Sequence, residues 1–235
     1  MIEIIKVESK DQEREFVMFP FSLYKGCDYW VPPIISEELE SMDKEKNPVF
    51  ENAEAEFYIA KKDGVTVGRI AAMVNWVEIE EQKKNKLRFG WYDTIDDLEV
   101  SKKLLESVIE FGKKRKLEFV DGPVGFSNMD KAGLLIEGYE ELNTMITWYH
   151  YPYQKEHLKK LGFSKLAEWV EYKIKIFSAE DAPEKVKKFS KIIQQRYELK
   201  VLNFKSRKEI IPYVDKMFEL LNVTYSNLQT YVTIK

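Results

Sequence analysis

One amphipathic helix constrains the fold of this chain most, because it lies between two strand-like runs. Over residues 99–116 the apolar side chains recur every three or four positions and form one stripe: Val100, Leu104, Leu105, Val108, Ile109 and Phe111. The runs on either side, 87–94 and 117–120, have the apolar character of strands. A helix that joins two neighbouring strands packs on the sheet that contains them. The stretch therefore predicts an α/β fold.

The rest of the chain adds strands before this helix and one after it. Residues 56–61 and 66–76 form a predicted hairpin, since Asp63-Gly64 between them is a strong turn signal. Alternation, capping and periodicity predict the other elements: a strand at 2–7, a helix starting after Ser9, helices at 36–42 and 154–161, and a last strand at 167–177. The expected fold class is α/β (α+β), with a mixed, mostly antiparallel, twisted sheet flanked by helices. All strands from residue 56 onward are expected in that one sheet.

Composition excludes several classes of protein. Hydrophobic residues make up 44% of the 235 residues, which excludes a disordered chain. A single cysteine, Cys27, excludes a disulfide framework, and the two histidines leave little for a metal site, so no metal is expected. The net charge of -3 provides no global field for nucleic acid. Because residues 1–10 lack the apolar core of a signal peptide and no membrane-spanning run is present, a soluble cytoplasmic protein without a membrane partner is expected.

The longest connection in the chain, residues 123–150, is the predicted site. It has about 28 residues and only a short apolar patch, and loops of this length are usually functional or disordered. Aromatic side chains crowd its end, which favours an ordered, functional loop. We expect one cleft beside strands 87–94 and 117–120, lined by Asn128, Asp130, Glu137, Trp148, Tyr149, Tyr151 and Tyr153. The alternative is that the aromatic rings only plug the sheet while the acidic side chains face water.

The order of elements carries a resemblance to a known superfamily. The segment 153–165, with its Leu161-Gly162-Phe163 turn and the strand-like run after it, resembles the last helix, turn and following strand of the GNAT acyl-CoA N-acyltransferases. Four phrases resemble a narrower bacterial group of tandem GNAT-like proteins: Phe19-Pro20-Phe21, Trp30-Val31-Pro32-Pro33, Val67 to Ala72 and Gly133 to Gly138. The resemblance covers about residues 1–177.

The resemblance implies acyl transfer from acetyl-CoA or another acyl-CoA, as co-substrate, to a small-molecule amine or amino-acid-like acceptor. The chain departs from the family at the loop that binds the CoA pyrophosphate, where aligned positions carry Asp96, Asp97 and Glu99. At about 5 Å and an effective dielectric near 20, each pair of like charges repels by about 3 kcal/mol. These acids are better explained as caps of the helix that follows. The loop is therefore expected to bind pyrophosphate poorly.

A second departure concerns the catalytic acid. Many members of the superfamily place a tyrosine four residues before the glycine of the turn, and this chain has Leu158 there. A proton donor must come within about 3 Å of the leaving sulfur. Tyr153 and His150 are the candidate catalytic residues that could take its place. An aromatic residue at a helix start is, in general, more often part of the core.

The last part of the chain echoes its beginning. Aligning Ser206 with Ser9 brings Tyr213-Val214 onto Phe16-Val17. We therefore expect a GNAT-like acyltransferase domain at 1–180 and the start of a second, incomplete GNAT-like unit at 181–235. A missing second unit or a homodimer would be the protein partner.

Three functions compete. The first is an acyl-CoA-dependent acyltransferase, towards which the sequence leans. The second is a Fem-type tandem-GNAT aminoacyl transferase, whose tRNA would contact residues 173–210, with eleven basic and five acidic residues. A nucleic-acid partner is nevertheless not expected, because the net charge of -3 gives the chain no global attraction for nucleic acid. The third is a non-catalytic ligand-binding or scaffold protein that keeps the fold.

Overall fold

The computed structural model describes residues 1–127, 129–144, 146–175, 178 and 180–234. These residues form two compact units, one made of residues 1–168 together with 226–234, and the other of residues 169–225. The boundary predicted at residues 180 and 181 falls inside the second unit.

The first unit is built on one five-stranded sheet among the described residues. Its strands are β1 (Ile2–Lys6), β2 (Ala53–Lys62), β3 (Val65–Asn75), β4 (Lys86–Thr94) and β5 (Phe119–Asp121), and they lie in that order. The pairs are antiparallel except β4 with β5, which is parallel. The predicted fold class is therefore confirmed, and four of the five predicted strands lie in the same sheet.

Helices cover both faces of this sheet. They are α1 (Lys10–Leu23), α2 (Ile35–Met42), α3 (Trp76–Glu80), α4 (Leu98–Lys114) and α5 (Pro152–Lys160), with a short 3₁₀ turn at Pro48–Glu51. Ser9 begins α1 as predicted: its hydroxyl accepts the Gln12 N–H, and the Gln12 side chain accepts the Ser9 N–H in return.

Two apolar cores lie on opposite faces of the sheet. Leu104 and Val108 of α4 are fully buried against β2, β3 and β4 on one face. Phe16 and Val17 of α1 are fully buried with Trp91 on the other face. Ile109, predicted within the α4 stripe, is instead 39% exposed, so the stripe is narrower than the sequence indicates.

The predicted strand at 167–177 is wrong over its described part. Residues 167–175 are irregular, and 176 and 177 lie outside the described residues. Trp169, Tyr172 and Ile174 are 55%, 80% and 77% exposed. An alternating sequence forms a strand only when it has a neighbouring strand and a buried face. No strand in the described part of the chain pairs with this segment.

The second unit contains two helices, α6 (Glu184–Arg196) and α7 (Arg207–Tyr225). Neither helix has a buried residue, and apolar side chains such as Phe189 and Met217 are about half exposed. Residues 201–204, strand-like in sequence, are irregular. The apolar residues Ile211, Val214, Met217 and Phe218 recur along α7 at helical spacing, but none of them is fully buried.

The loop that follows β5 lies directly on β4. The Val124 N–H donates to the Phe89 carbonyl oxygen at 2.8 Å. A Cβ atom at Gly122 would stand 2.4 Å from that same oxygen, and one at Gly90 would stand 2.6 Å from the Val124 carbonyl oxygen. Only glycine fits at these two positions, because any side chain would push the loop away from the strand.

Four buried charges join β4 to β5 and α3. Arg88 donates to both carboxylate oxygens of Glu78 at 2.7 Å. The Lys86 ammonium lies 2.7 Å from an Asp121 carboxylate oxygen and 3.1 Å from Glu78. Arg88 also donates to the carbonyl oxygens of Gly125 and Thr230, at 3.1 and 2.6 Å. The loop after β5 and the chain end at 226–234 are therefore tied to β4.

The α4 core provides a test of the fold. We expect Leu104→Ala to lower the free energy of unfolding by about 2–5 kcal/mol, because it leaves a cavity in a closed core. Ile109→Ala on the same helix is the matched control and should cost about 1 kcal/mol or less, since that side chain is partly exposed. Denaturant unfolding of both variants measures the difference. Equal losses of unfolding free energy in the two variants would contradict the packing of α4 on the sheet through Leu104.

Candidate functional site

Side chains of α5 cover the outer edge of β4 near its carboxyl end. β5 pairs with β4 only as far as Arg88, so the later carbonyl groups of β4 have no strand beside them on that edge. The Tyr153 hydroxyl donates to the Thr94 carbonyl oxygen at 2.6 Å. The Gln154 amide donates to the Tyr92 carbonyl oxygen at 3.2 Å. The start of α5 thus satisfies backbone acceptors that would otherwise be buried without a partner.

On the α1 face of the sheet, three polar side chains meet in a buried group. The Arg69 Nε donates to Asp93 Oδ2 at 2.8 Å, and Arg69 also donates to the Phe16 carbonyl oxygen at 3.0 Å. The Tyr24 hydroxyl lies 2.6 Å from Asp93 Oδ1 and 3.0 Å from the Tyr149 carbonyl oxygen. Burial, together with the negative charge of Asp93, raises the pKa of Tyr24 well above its usual value. Tyr24 is therefore a protonated donor at neutral pH.

On the α4 face, a second polar chain runs from the surface into the core. Asp96 Oδ1 lies 3.2 Å from His157 Nε2, and His157 Nδ1 lies 2.8 Å from Ser101 Oγ. The Ser101 hydroxyl also contacts the hydroxyls of Tyr92 and Thr94, at 2.8 and 3.3 Å. Ser101 is fully buried and His157 is 4% exposed, so this hydroxyl is closed to a ligand in the described structure.

A row of aromatic rings runs from α1 to α5. The rings of Phe21, Trp30, Tyr24, Tyr151 and Tyr153 follow one another with centroid distances of 5.2, 5.3, 5.2 and 5.7 Å. Such pairs stabilise each other through edge and offset contacts. Of the five rings only Tyr24 is fully buried, so the row gives this end of the sheet a partly exposed aromatic surface.

The structure brings together most of the predicted aromatic site residues. Tyr149 is 6% exposed; its ring packs on Tyr24 and Tyr151, and its hydroxyl donates to the Tyr139 carbonyl oxygen at 3.1 Å. The half-buried Trp148 packs on the Trp91 ring at 5.9 Å. Tyr149 and Trp148 therefore join the loop to the sheet.

Two of the three polar site residues predicted from the loop belong to the described residues. Asp130 and Glu137 are exposed, and Asp130 accepts hydrogen bonds from the backbone and hydroxyl of Ser127 at 2.8 and 3.2 Å. Asn128 lies outside the described residues. A role in binding a substrate stays a prediction for these three residues.

His150, the other predicted catalytic residue, is 1% exposed. Its Nδ1 accepts the Leu135 N–H at 3.3 Å, which makes it a tie between the loop and the residues before α5. Burial lowers the pKa of His150 to about 4, so the ring is neutral at pH 7. A neutral, enclosed imidazole whose Nδ1 already accepts a backbone hydrogen bond has the features of a structural residue.

The N-terminus of α4 is occupied by its own cap. Asp97 Oδ1 accepts the Glu99 N–H at 3.0 Å, and Asp97 Oδ2 pairs with Lys62 at 3.0 Å. The hydrogen bond from Lys62 is the largest cause that lowers the pKa of Asp97. A helix N-terminus binds phosphate through free amide groups and its positive dipole end, and here a carboxylate already uses both. Asp97 is thus the cap that its place before the helix predicts.

Sequence reasoning missed Arg69, Asp93, Tyr24 and His157. One signal was available for the first two residues: each is a charge inside an otherwise apolar strand, where only a buried partner makes it tolerable. No local signal pairs His157 with Ser101, because their contact depends on how α5 sits against α4.

The described residues contain neither a candidate membrane-spanning helix nor a candidate metal-binding group. No helix among them is long and apolar enough to cross a bilayer. No group of three or more His, Cys, Asp or Glu side chains in the same part of the chain could hold a metal ion. Two surface depressions of about 450 and 280 Å³ lie beside β1 and away from α5.

Comparison with known proteins gives two curated relatives. The chain is 30% identical to Protein YghO of Escherichia coli (strain K12) over 167 residues, 69% of this chain and 43% of that protein. It is 23% identical to the bacterial ceramide synthase of Caulobacter vibrioides over 174 residues, 73% of this chain and 45% of that protein. The chain thus spans less than half the length of these relatives. No family model matches the chain.

Among solved structures, the chain is similar to an acetyltransferase of the GNAT family from Staphylococcus aureus Mu50. The match covers 52% of this chain and 74% of that one, with 18% identity and a TM-score of 0.39.

The buried His150 should make stability depend on pH. Its pKa is about 4 in the folded state and about 6.5 when unfolded, so the unfolded chain binds more protons between these values. The contribution of neutral His150 to the free energy of unfolding is therefore fully present above pH 6.5. It falls by about 3 kcal/mol as the pH drops towards 4. We expect His150→Gln to remove this part of the pH dependence in denaturant unfolding at pH 7 and pH 4. An equal loss of unfolding free energy between pH 7 and pH 4 in the wild type and in His150→Gln would contradict this expectation.

The capped end of α4 should bind CoA weakly. We expect calorimetry to show no micromolar affinity that depends on this helix end, and Glu99→Arg to tighten any binding by removing a negative charge and adding a positive one. Glu106→Arg, exposed two turns further along α4, is the matched control. Micromolar CoA binding that Glu99→Arg abolishes would contradict this expectation.

Proposed function

We propose that this chain carries a GNAT-like acyltransferase unit that transfers an acyl group from acyl-CoA to an amine. The observation that carries the proposal is the half-buried Tyr153, whose hydroxyl lies beside the aromatic row at the part of the β4 edge that β5 does not pair with. The resemblance in sequence to acyl-CoA-dependent transferases points to the same chemistry.

The reaction needs two proton events. As the amine nitrogen attacks the thioester carbonyl, a C–N bond forms, the C–S bond breaks, and the nitrogen loses a proton while sulfur leaves as thiolate. Burial, with the nearby charges of Asp93 and Asp96, raises the pKa of Tyr153. The hydroxyl therefore stays protonated and is a weaker acid than a thiol. A tyrosine has one O–H, which here donates to the Thr94 carbonyl oxygen, so in the transition state Tyr153 would turn this O–H from Thr94 to the leaving sulfur. The proton that ends on sulfur would come from the amine.

A long hydrocarbon chain on the acceptor suits the surface around this site. The relative from Caulobacter is named a ceramide synthase, and a ceramide is the amide of a long-chain amine. In this chain the loop at 29–34 continues the aromatic row and exposes Tyr29, Val31 and Ile34 by 37%, 42% and 60%. The Asn143 N–H donates to the Tyr29 carbonyl oxygen at 3.4 Å, so a second loop, with Leu142 67% exposed, lies beside it. Contiguous apolar surface of this kind binds apolar ligands.

A non-catalytic role is the second candidate, and one observation favours it. Asp97 occupies the end of α4, and Asp96 and Glu99 add negative charge where a diphosphate would bind. On this reading, acyl-CoA would bind to another part of a longer protein, and this unit would hold only the acceptor.

Acyl transfer provides the test. The full chain is incubated with acetyl-CoA or a long-chain acyl-CoA and either a short alkylamine or a long-chain amino alcohol, and CoA release and amide formation are followed. We expect amide formation with the long-chain acceptor, and a loss of about 100-fold in kcat on Tyr153→Phe because the donor to sulfur is removed.

Tyr197→Phe, an exposed tyrosine in the second unit, is the matched control and should leave the rate unchanged. Binding of the amine without any amide product would favour the non-catalytic role. Full activity of Tyr153→Phe would overturn the part given to this hydroxyl.

A further inference from the structure

We infer that His157 is a positioning residue that sets the place of the Tyr153 hydroxyl on β4. The inference rests on the proposed function of Tyr153. His157 is enclosed, yet both of its ring nitrogens have partners, and these lie on different parts of the chain: Asp96 before α4 and Ser101 within it.

The contacts form a closed circuit through α5, α4 and β4. Tyr153 and His157 are four residues apart on α5, so they share one face, and their rings lie 5.4 Å apart. His157 contacts the Ser101 hydroxyl at 2.8 Å, and that hydroxyl contacts Thr94 Oγ1 at 3.3 Å. The Thr94 carbonyl oxygen accepts the Tyr153 hydroxyl at 2.6 Å and closes the circuit. Each member is therefore held from two sides.

The hydrogen bonds hold the His157 ring from two sides. The Asp96 carboxylate only accepts, so His157 Nε2 donates to it, and His157 Nδ1 is hydrogen-bonded to Ser101 Oγ. Ser101 Oγ also accepts from the Tyr92 hydroxyl and is hydrogen-bonded to the Thr94 hydroxyl. Because both ring nitrogens have partners, the His157 ring has one satisfied orientation, and the Tyr153 ring packs against it.

This arrangement predicts where Tyr153 moves when the circuit is opened. Without the imidazole, the Tyr153 ring loses the neighbour one turn along α5, and its hydroxyl is no longer confined to one position on β4. A donor displaced by a fraction of an ångström stabilises the leaving sulfur less well, while substrate binding elsewhere on the surface is unaffected. The loss should therefore fall on kcat and not on KM.

A double-mutant cycle tests the inference. We expect His157→Ala to lower kcat about 10-fold with KM within about 2-fold, and to have no further effect in a Tyr153→Phe background, because the hydroxyl that it positions is then absent. Lys160→Ala, exposed on the same helix, is the control and should leave kcat unchanged. His157→Gln, whose amide can both donate and accept, should restore most of the rate.

Asp96→Ala provides a second test that does not depend on whether the His157 variants fold. The Asp96 side chain is 69% exposed, so its removal leaves the core intact, and it should lower kcat about 3-fold in the wild type and not in Tyr153→Phe. Equal losses in both backgrounds, for either variant, would overturn the inference and leave His157 as a residue of general stability.

A second readout does not depend on activity. The ¹³C signal of the Tyr153 ring carbon bonded to oxygen should shift in Asp96→Ala and His157→Ala, and not in Lys160→Ala. If the wild type transfers no acyl group to any amine, the proposed function fails, and this signal still decides whether His157 positions Tyr153. An unchanged signal in both variants would overturn the inference.

Discussion

Four charges buried around β4 are the constraint on which the rest of the first unit depends. Glu78, Lys86, Arg88 and Asp121 have side chains at most 8% exposed, and each cation is paired with at least one carboxylate. Loss of one member would leave an uncompensated buried charge, which costs about 3–5 kcal/mol. Pairing of these four charges therefore requires one arrangement of α3, β4 and β5, and this requirement does not depend on the surface loops.

The same cluster decides which backbone segments lie on β4. After pairing with Glu78, Arg88 has N–H groups left, and they donate to the Gly125 and Thr230 carbonyl oxygens. Gly90 and Gly122 allow the loop after β5 to come this close. With β5 ending at Asp121, the carboxyl end of β4 has an open edge, and α5 fills it with Tyr153 and Gln154. The site is thus a consequence of where the parallel pairing stops.

The candidate site was partly predictable, and the reason differs from residue to residue. Tyr149, Tyr151 and Tyr153 could be found because four aromatic residues within six positions after a long loop must pack on something. Arg69, Asp93 and Tyr24 could not be grouped from the sequence, since Asp93 is 24 residues from Arg69 and 69 residues from Tyr24. The acids at 130 and 137 have the charge that binds an amine, yet an exposed carboxylate in a loop is as well satisfied by water as by a substrate.

The sequence by itself determined every element whose signal is local: the α4 helix through its period, the β2–β3 turn through Asp63-Gly64, and the caps at Ser9 and Asp97. Interactions within about four residues decide such features, so they need no knowledge of the rest of the chain. Only the tertiary structure decided whether 167–175 would be a strand, which way His157 faces, and which charges share a core. Those outcomes depend on partners far away in sequence, since strand pairing and buried charge pairing are favourable only once the partner is in place.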